Sequence, residues 1–260
     1  MRNISIQVLI KQAVERILSA KYTVVLTGAG ISTPSGIPDF RSPQNGLWTH
    51  SDPMEVASLT AFRHHPDAFY NWLRPLAQQI ISAKPNPAHQ GLAILEQAGY
   101  IKAVITQNID GLHQTAGSHE VIEIHGSMKD LVCPVCRVIY SANDFYRSYI
   151  MQGKYPRCSR CNAYLKPNIT LFEEMLPVET WERAMDHSQK ADLFIVIGSS
   201  LEVMPAASLP LEAIRHGAKL IINTLSPTPF DHEAELIIHA NVSEVLPAIA
   251  QQVLENSPNT

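Results

Sequence analysis

The four cysteines of this 260-residue chain fall in two pairs, Cys133-Pro134-Val135-Cys136 and Cys158-Ser159-Arg160-Cys161. Each CxxC turn presents two thiolates to one point, and two such turns supply the four soft ligands that tetrahedral zinc prefers. Two disulfides and a redox CxxC are the competing readings. Disulfides fit poorly behind an opening, Met1-Arg2-Asn3-Ile4, without a secretory pattern, and a redox CxxC stands singly at a helix start beside a strand. An all-thiolate site has no open position for water, so the expected zinc is structural and the chemistry lies elsewhere.

Other segments carry side chains that can hold a nucleotide. Gly28-Ala29-Gly30-Ile31-Ser32 precedes Gly36-Ile37-Pro38-Asp39-Phe40-Arg41. Glycines at a strand-to-helix turn let backbone N–H groups approach a diphosphate, whose charge a helix N-terminus favours. The spacing is not GxGxxG, no ribose-binding acid follows on a second strand, and a tight turn explains the glycines about as well. Asp39 and Arg41 suit a cofactor loop or a surface ion pair. Thr106-Gln107-Asn108-Ile109-Asp110-Gly111 crowds polar groups that can fix a ribose and an amide, or form an Asx turn and a helix cap. His125 follows Val121-Ile122-Glu123-Ile124 and precedes Gly126, where a general base titrating near neutrality is useful. Gly198-Ser199-Ser200 and Asn223-Thr224 can hold the rest of a nucleotide, or cap helices.

The elements that must position these groups are legible in the apolar spacing. From Ile6, the series Leu9, Ile10, Ala13, Val14, Ile17, Leu18 has the three-and-four spacing of a one-sided helix. Short β-branched runs at 22–27, 101–105, 193–197 and 218–222 end in glycine or polar residues and read as buried parallel strands. Helices are expected at 178–190, 205–216 and 243–255, the last capped by Ser243. Strands alternating with helices predict a doubly wound parallel α/β sheet with ligands at the carboxyl ends of its strands.

The cysteine pairs interrupt that alternation, so 129–170 is expected to be a small zinc-binding domain. Residues 41–84, rich in Pro, His and aromatics, form a second excursion with a short helix near Phe69. The main unit is then 1–40, 85–128 and 171–260, and only the tail Ser257–Thr260 reads as disordered. A net charge of -4 gives no field for nucleic acid or anionic membrane. No apolar run approaches the roughly 20 residues that span a bilayer, so a cytoplasmic protein is expected.

In order and over nearly the whole chain, Gly28–Ser32, Gly36–Pro43, Thr106–Asp110, His125-Gly126, the two CxxC pairs, Gly198–Ser200 and Val203-Met204-Pro205-Ala206 resemble the sirtuin family. The resemblance implies a Rossmann-like domain joined to a small zinc domain, with NAD and an acyl-lysine peptide meeting between them. It also implies the reaction: NAD-dependent protein-lysine deacylation that yields nicotinamide, free lysine and O-acyl-ADP-ribose. By that resemblance His125 is the general base and Asn108 orients ribose and water, while Ile37 and Asp110 hold the carboxamide. Ala29, Pro38, Asp39, Phe40 and Arg41 belong to a loop covering the cofactor. Gly28, Gly30, Ser32, Gln107, Ile109, Gly198, Ser199, Ser200, Asn223, Thr224 and Val242 complete the NAD site. Tyr70, Leu73, Thr170, Phe172, Glu174 and Val203 contact the acyl-lysine substrate.

Two details choose among family patterns. Glu173 in Phe172-Glu173-Glu174 stands where glycine is expected. If that position has φ > 0 the backbone is strained, and the pairing of this segment with a substrate strand opposite Glu202–Pro205 comes into doubt. Together Glu173 and Glu174 would favour acyl-lysines flanked by Lys or Arg. Desuccinylating sirtuins carry Tyr-x-x-Arg; here Tyr70 is followed by Leu73, and Arg74 comes one residue late, roughly 100° away on a helix. A pocket for neutral acyl groups is expected. An ADP-ribosyl-transferring enzyme on the same scaffold and a non-catalytic zinc-ribbon module are the alternatives.

Overall fold

The computed structural model describes residues 5–42, 46–49 and 51–257. In chain order the helices are α1 Ile6–Ser19, α2 Pro53–Val56, α3 Leu59–His64, α4 Pro66–Ser82, α5 Pro87–Gln97, α6 Leu112–Ala116, α7 Asn143–Tyr146, α8 Val178–Lys190, α9 Leu209–Arg215 and α10 Val242–Glu255. The strands are β1 Thr23–Thr27, β2 Ile101–Thr106, β3 Val121–Glu123, β4 Gly126–Val132, β5 Ile139–Ser141, β6 Lys166–Ile169, β7 Leu193–Ile197, β8 Lys219–Asn223 and β9 Leu236–Ile238.

Six strands form one parallel sheet in the order β3-β2-β1-β7-β8-β9. Both faces are covered. Val25, Val104, Ile195 and Ile221 pack on α1, α5 and α10, while Val24, Leu26, Phe194 and Ile222 pack on α8 and α9. Alternate residues of each strand thus enter opposite cores, which is why the strands read as mainly apolar runs rather than as alternating ones. The strand order reverses between β1 and β7, and the crevice over their carboxyl ends is where such sheets bind ligands. There two turns lie in contact: the Gly30 N–H donates to the Gly198 carbonyl at 2.8 Å. Gly198 has φ +60, and a Cβ on it would fall 2.4 Å from the Ile31 nitrogen, so only glycine fits.

The cysteine-bearing segment forms a separate antiparallel sheet, β5-β4-β6, which opens at Gly126. Between the two sheets, Phe62, Phe69, Tyr70, Leu73, Leu76 and Ile80 of α3 and α4 make a third apolar core with Tyr149, Ile150 and Leu171.

Several expectations need correction. The short helix near Phe69 is the 17-residue α4, which runs through Pro75. Proline reads as a breaker, but Phe69, Leu73, Leu76 and Ile80 keep helical spacing across it, and their burial outweighs the missing N–H. Residues 206–208 form a 3-10 turn ahead of α9, where Pro210 occupies the first turn. The last helix is capped by Asn241, whose side chain accepts from the Ser243 N–H at 3.0 Å, rather than by Ser243. Of the tail read as disordered, Ser257 accepts a hydrogen bond from the Tyr100 hydroxyl at 2.9 Å, and 258–260 lie outside the described residues. No helix among the described residues is long and apolar enough to cross a membrane.

Candidate active site

The Cys133, Cys136, Cys158 and Cys161 sulfurs all lie within 4.8 Å of one another. Pairs stand 3.4, 3.5 and 3.8 Å apart. A tetrahedron of thiolates about 2.3 Å from zinc has edges of about 3.8 Å, whereas a disulfide needs about 2.05 Å. The four donors therefore fit zinc, and all four thiols are free. The Tyr140 hydroxyl stands 3.1 Å from the Cys158 sulfur as an outer-shell partner.

Across the carboxyl edge of the large sheet, facing the small one, lies a cavity of about 630 Å³. Its walls include Ala29, Ser32, Ile37, Pro38, Phe40 and Arg41 from the turns after β1, Gln107, Asn108, Ile109 and Asp110 from the loop after β2, and His125 from the turn after β3. Leu73 comes from α4, Thr170, Phe172 and Glu174 follow β6, and Val203 follows β7. The topology thus brings most of the sequence-predicted residues into one space.

His125 is held from two sides. Its carbonyl accepts from the Thr170 N–H at 2.8 Å. The next residue, Gly126, has φ +77, and a Cβ there would lie 2.2 Å from the Asn168 carbonyl oxygen. The ring Nδ1 is 3.0 Å from the Gln107 carbonyl. A carbonyl only accepts, so Nδ1 carries the proton and Nε2 keeps a free lone pair. Burial lowers the His125 pKa, and the Gln107 bond offsets this in part. A neutral imidazole with a defined tautomer is what a general base requires.

Asn108 is positioned by a buried polar network. Its amide donates to the Gly28 carbonyl and to the Ser32 hydroxyl, both at 3.1 Å, which leaves Oδ1 as the group offered to the cavity. The Ser32 hydroxyl donates to Asp110 Oδ2 at 2.7 Å. Burial raises the Asp110 pKa against the Leu112 N–H and Ser32 donors. Behind them Asn86 Nδ2 holds the Ile31 carbonyl at 2.7 Å, and the buried rings of His89 and His113 meet edge to face at 4.9 Å. The sequence reading missed Asn86, His89 and His113. Asn86-Pro87 did carry a helix-start signal, but nothing local marks a helix face for burial against a turn distant in sequence.

Other expected contacts are placed differently. Tyr70 is buried and donates to the Leu165 carbonyl, so its hydroxyl is not free for a substrate. Asp39 accepts from the Arg41 and Ser42 N–H groups at 3.0 and 2.7 Å, a loop-forming role. Gly28, Gly30, Gly198, Ser199, Ser200, Asn223 and Thr224 stand outside the cavity, on the turns at the carboxyl ends of β1, β7 and β8. There Asn223 Oδ1 is buried with no protein partner, while its Nδ2 holds the Ile238 and Ala240 carbonyls. Ser199 receives Gln107 Nε2 at 2.8 Å. The glycine turns and this orphaned acceptor fit a dinucleotide lying along the crevice. The Val242 side chain, by contrast, is packed into the core.

Glu173 does sit at φ +72, the region glycine tolerates. Its carboxylate turns to α3 and accepts the Thr60 N–H at 2.8 Å, beside the Ser58 cap on Ala61. The Thr60 donors hold the Glu173 carboxyl below its usual range, with Arg63 adding to this. The residue caps α3 while its exposed carboxylate stays on the cavity lining. Glu174 accepts the Leu171 N–H at 2.9 Å and pairs with Lys166 at 2.8 Å. Phe172 exchanges backbone bonds with Ala57 and Leu59. The backbone groups of Leu171 and Phe172 are therefore engaged within the chain.

The acyl end of the cavity is apolar. Leu73 is buried, and Leu76 and Ile80 continue its wall one and two turns along α4. Arg74 points elsewhere, its Nε and Nη2 donating to the Ile150 carbonyl at 3.0 and 2.6 Å. Trp48 stacks between Phe40 and Trp72, with ring centres 5.2 and 5.7 Å away. These tryptophans were not anticipated; a tryptophan two residues after Gly46 in a largely polar loop was the available signal.

The Sir2 family model matches residues 28–205. An NAD-dependent protein deacylase 2 of Archaeoglobus fulgidus is 45% identical over 94% of this chain and 96% of its own length. An NAD-dependent protein deacetylase of Thermotoga maritima is 44% identical over 94% and 97%. A Sir2 structure with a deacetylated p53 peptide and 3′-O-acetyl ADP ribose superposes with a TM-score of 0.89 at 43% identity, covering 94% of this chain and 98% of that one.

Proposed function

Since this chain belongs to the Sir2 family, we propose that it is an NAD-dependent protein-lysine deacylase whose general base is His125. NAD, consumed rather than reduced, supplies an electrophilic ribose carbon that the acyl oxygen captures as nicotinamide leaves. His125 Nε2 takes a proton from a ribose hydroxyl while Nδ1 stays on the Gln107 carbonyl. Asn108 Oδ1, fixed by the two bonds of its amide nitrogen, orients the ribose and a water. Asp110 and Ile37 hold the carboxamide, and Phe40, backed by Trp48, closes the cavity to bulk water. Leu73 provides the apolar wall for the acyl group. Residues 1–40, 85–128 and 171–260 work as the cofactor unit, 129–170 as the zinc unit and 41–84 as the loop and helices that roof the cleft.

The observation that carries this reading is the neutral, tautomer-fixed His125 on the wall of a cavity that also presents Asn108 and an apolar slot. Incubation with NAD and an acetyl-lysine peptide tests it. O-acetyl-ADP-ribose and free lysine are the expected products by mass spectrometry. Free ADP-ribose, or ADP-ribosylated protein without deacylated peptide, would favour the transferase alternative and overturn the proposal.

A further inference from the structure

Charge is divided unevenly along this chain. Residues 129–170 carry seven Lys and Arg against two Asp and no Glu, and the chain totals of 20 basic and 24 acidic residues leave 13 against 22 elsewhere. The zinc unit is thus at +5 on a body at -9, and a zinc ion on four thiolates takes two from the former. Five of its cations, Arg137, Arg147, Lys154, Arg157 and Arg160, are exposed, and none is in an ion pair among the described residues. They stand apart from the cavity, whose walls take nothing from 126–168.

Three of the five converge. The two CxxC turns meet, with the Cys133 and Cys161 sulfurs 3.4 Å apart and those of Cys136 and Cys158 3.5 Å apart. Arg137 follows the first turn, Arg160 lies within the second and Arg157 precedes it. Arg157 is held in place, its guanidinium 3.8 Å over the Tyr164 ring and its Nη1 donating to the Asn162 carbonyl at 3.0 Å. Arg137 has φ +61, the left-handed conformation that Asn162 adopts at the matching place in the second turn. Each donates its N–H at 2.9 Å to the carbonyl of the first cysteine of its turn. Asparagine suits that conformation and arginine does not, so the first turn keeps a strained cation where an uncharged residue fits better. Val135 and Ile139, 69% and 64% exposed, flank Arg137 along the same segment. Ile139 opens β5, an edge strand of the small sheet, where an extended chain can be added.

We propose that this face of the zinc unit docks an extended protein segment in which Asp or Glu alternate with apolar residues. The carboxylates meet Arg137, Arg157 and Arg160, and the apolar side chains cover Val135 and Ile139. A long polyanion fits less well. Duplex DNA carries one charge per about 1.7 Å, and its continuation past the unit meets a body at -9. An anionic bilayer, being extended, meets the same body. Docking needs neither NAD nor His125, so the proposal does not rest on the deacylase reading.

Fluorescence anisotropy of the zinc-loaded protein with a labelled peptide of three Asp-Leu-Glu-Ile repeats tests it. Binding should weaken roughly tenfold when Asn and Gln replace the acids, and by a similar factor between about 0.1 and about 1 M salt, where the screening length falls from about 10 to about 3 Å. Ser in place of Leu and Ile should weaken it severalfold, because Val135 and Ile139 are then left uncovered. Arg137→Asn/Arg160→Gln, with zinc content and unfolding midpoint at wild-type values, should lose roughly tenfold, which two exposed ion pairs contribute together. Ile139→Ser lies outside both CxxC turns and must also weaken binding, so the test stands even if the arginine variant loses zinc. Acidic and amide peptides binding alike, or wild-type affinity in both variants, would overturn the proposal. A DNA duplex or phosphatidylserine vesicles bound as tightly as the peptide, and released by the same substitutions, would overturn the assignment to a protein segment. Deacylation of a short acetyl-lysine peptide should be equal in wild type and the arginine variant. Its absence from both would overturn the deacylase reading and leave the docking surface standing.

Discussion

The stability of this protein should fall steeply in mild acid because of His89 and His113. Burial holds the His89 pKa down to about 4, and burial together with the neighbouring His89 charge holds His113 down to about 3, against 6.5 for a free imidazole. The hydrogen bonds agree. Thr27 donates to the Thr106 hydroxyl at 2.8 Å, so its oxygen accepts from His113 Nε2 at 2.9 Å, and His113 Nδ1 is buried without a partner. A proton placed there would face no carboxylate directly; in this network Asp110 reaches the pair only through Ser32. A folded pKa below the unfolded one means that acid favours the unfolded chain, so the contribution is complete above 6.5 and is lost as pH falls from there toward the folded values. At about pH 5 both folded values lie well below the solvent pH, so the loss is set by the unfolded pKa and is about 2 kcal/mol per imidazole. Urea unfolding at about pH 7.5 and about pH 5 should show wild type losing roughly 4 kcal/mol from this pair, and His113→Phe about 2 kcal/mol less. The raised Asp110 pKa acts in the opposite direction in both proteins and drops out of the difference. Equal acid losses in wild type and variant would refute the reasoning.

Leu73→Arg should raise desuccinylation relative to deacetylation of one peptide, because a carboxylate buried against Leu73 has no cation and Arg74 is held on the Ile150 carbonyl. Wild type that removes succinyl as fast as acetyl would contradict this. Cys158→Ser should reduce zinc content, thermal midpoint and activity together, since a closed thiolate site contributes directly to folding. Retention of the midpoint after zinc loss would show that the small sheet folds without metal.

The parallel sheet was legible because β1, β2, β7 and β8 are buried on both faces over most of their length and therefore read as largely apolar. The cysteine spacing was legible because a ligand set must recur at fixed offsets, and His125 because a strand end places it. What escaped depends on contacts between distant segments. The length of α4 follows from a core that overrides Pro75, and the burial of His89 and His113 follows from their packing beneath the turn after β1. Glu173 is the instructive case. The positive φ was deducible from the glycine it replaces, but the Thr60 N–H that its carboxylate meets belongs to a helix distant in sequence, so its capping of α3 was not.

Turnover of His125→Ala tests the central claim most directly. With zinc content and unfolding midpoint matching wild type, and with NAD and an acetyl-lysine peptide at saturation, formation of O-acetyl-ADP-ribose should fall by roughly 10²–10⁴-fold, the contribution of a positioned base. A rate within about tenfold of wild type would contradict the assignment of His125 and the account of the site built around it.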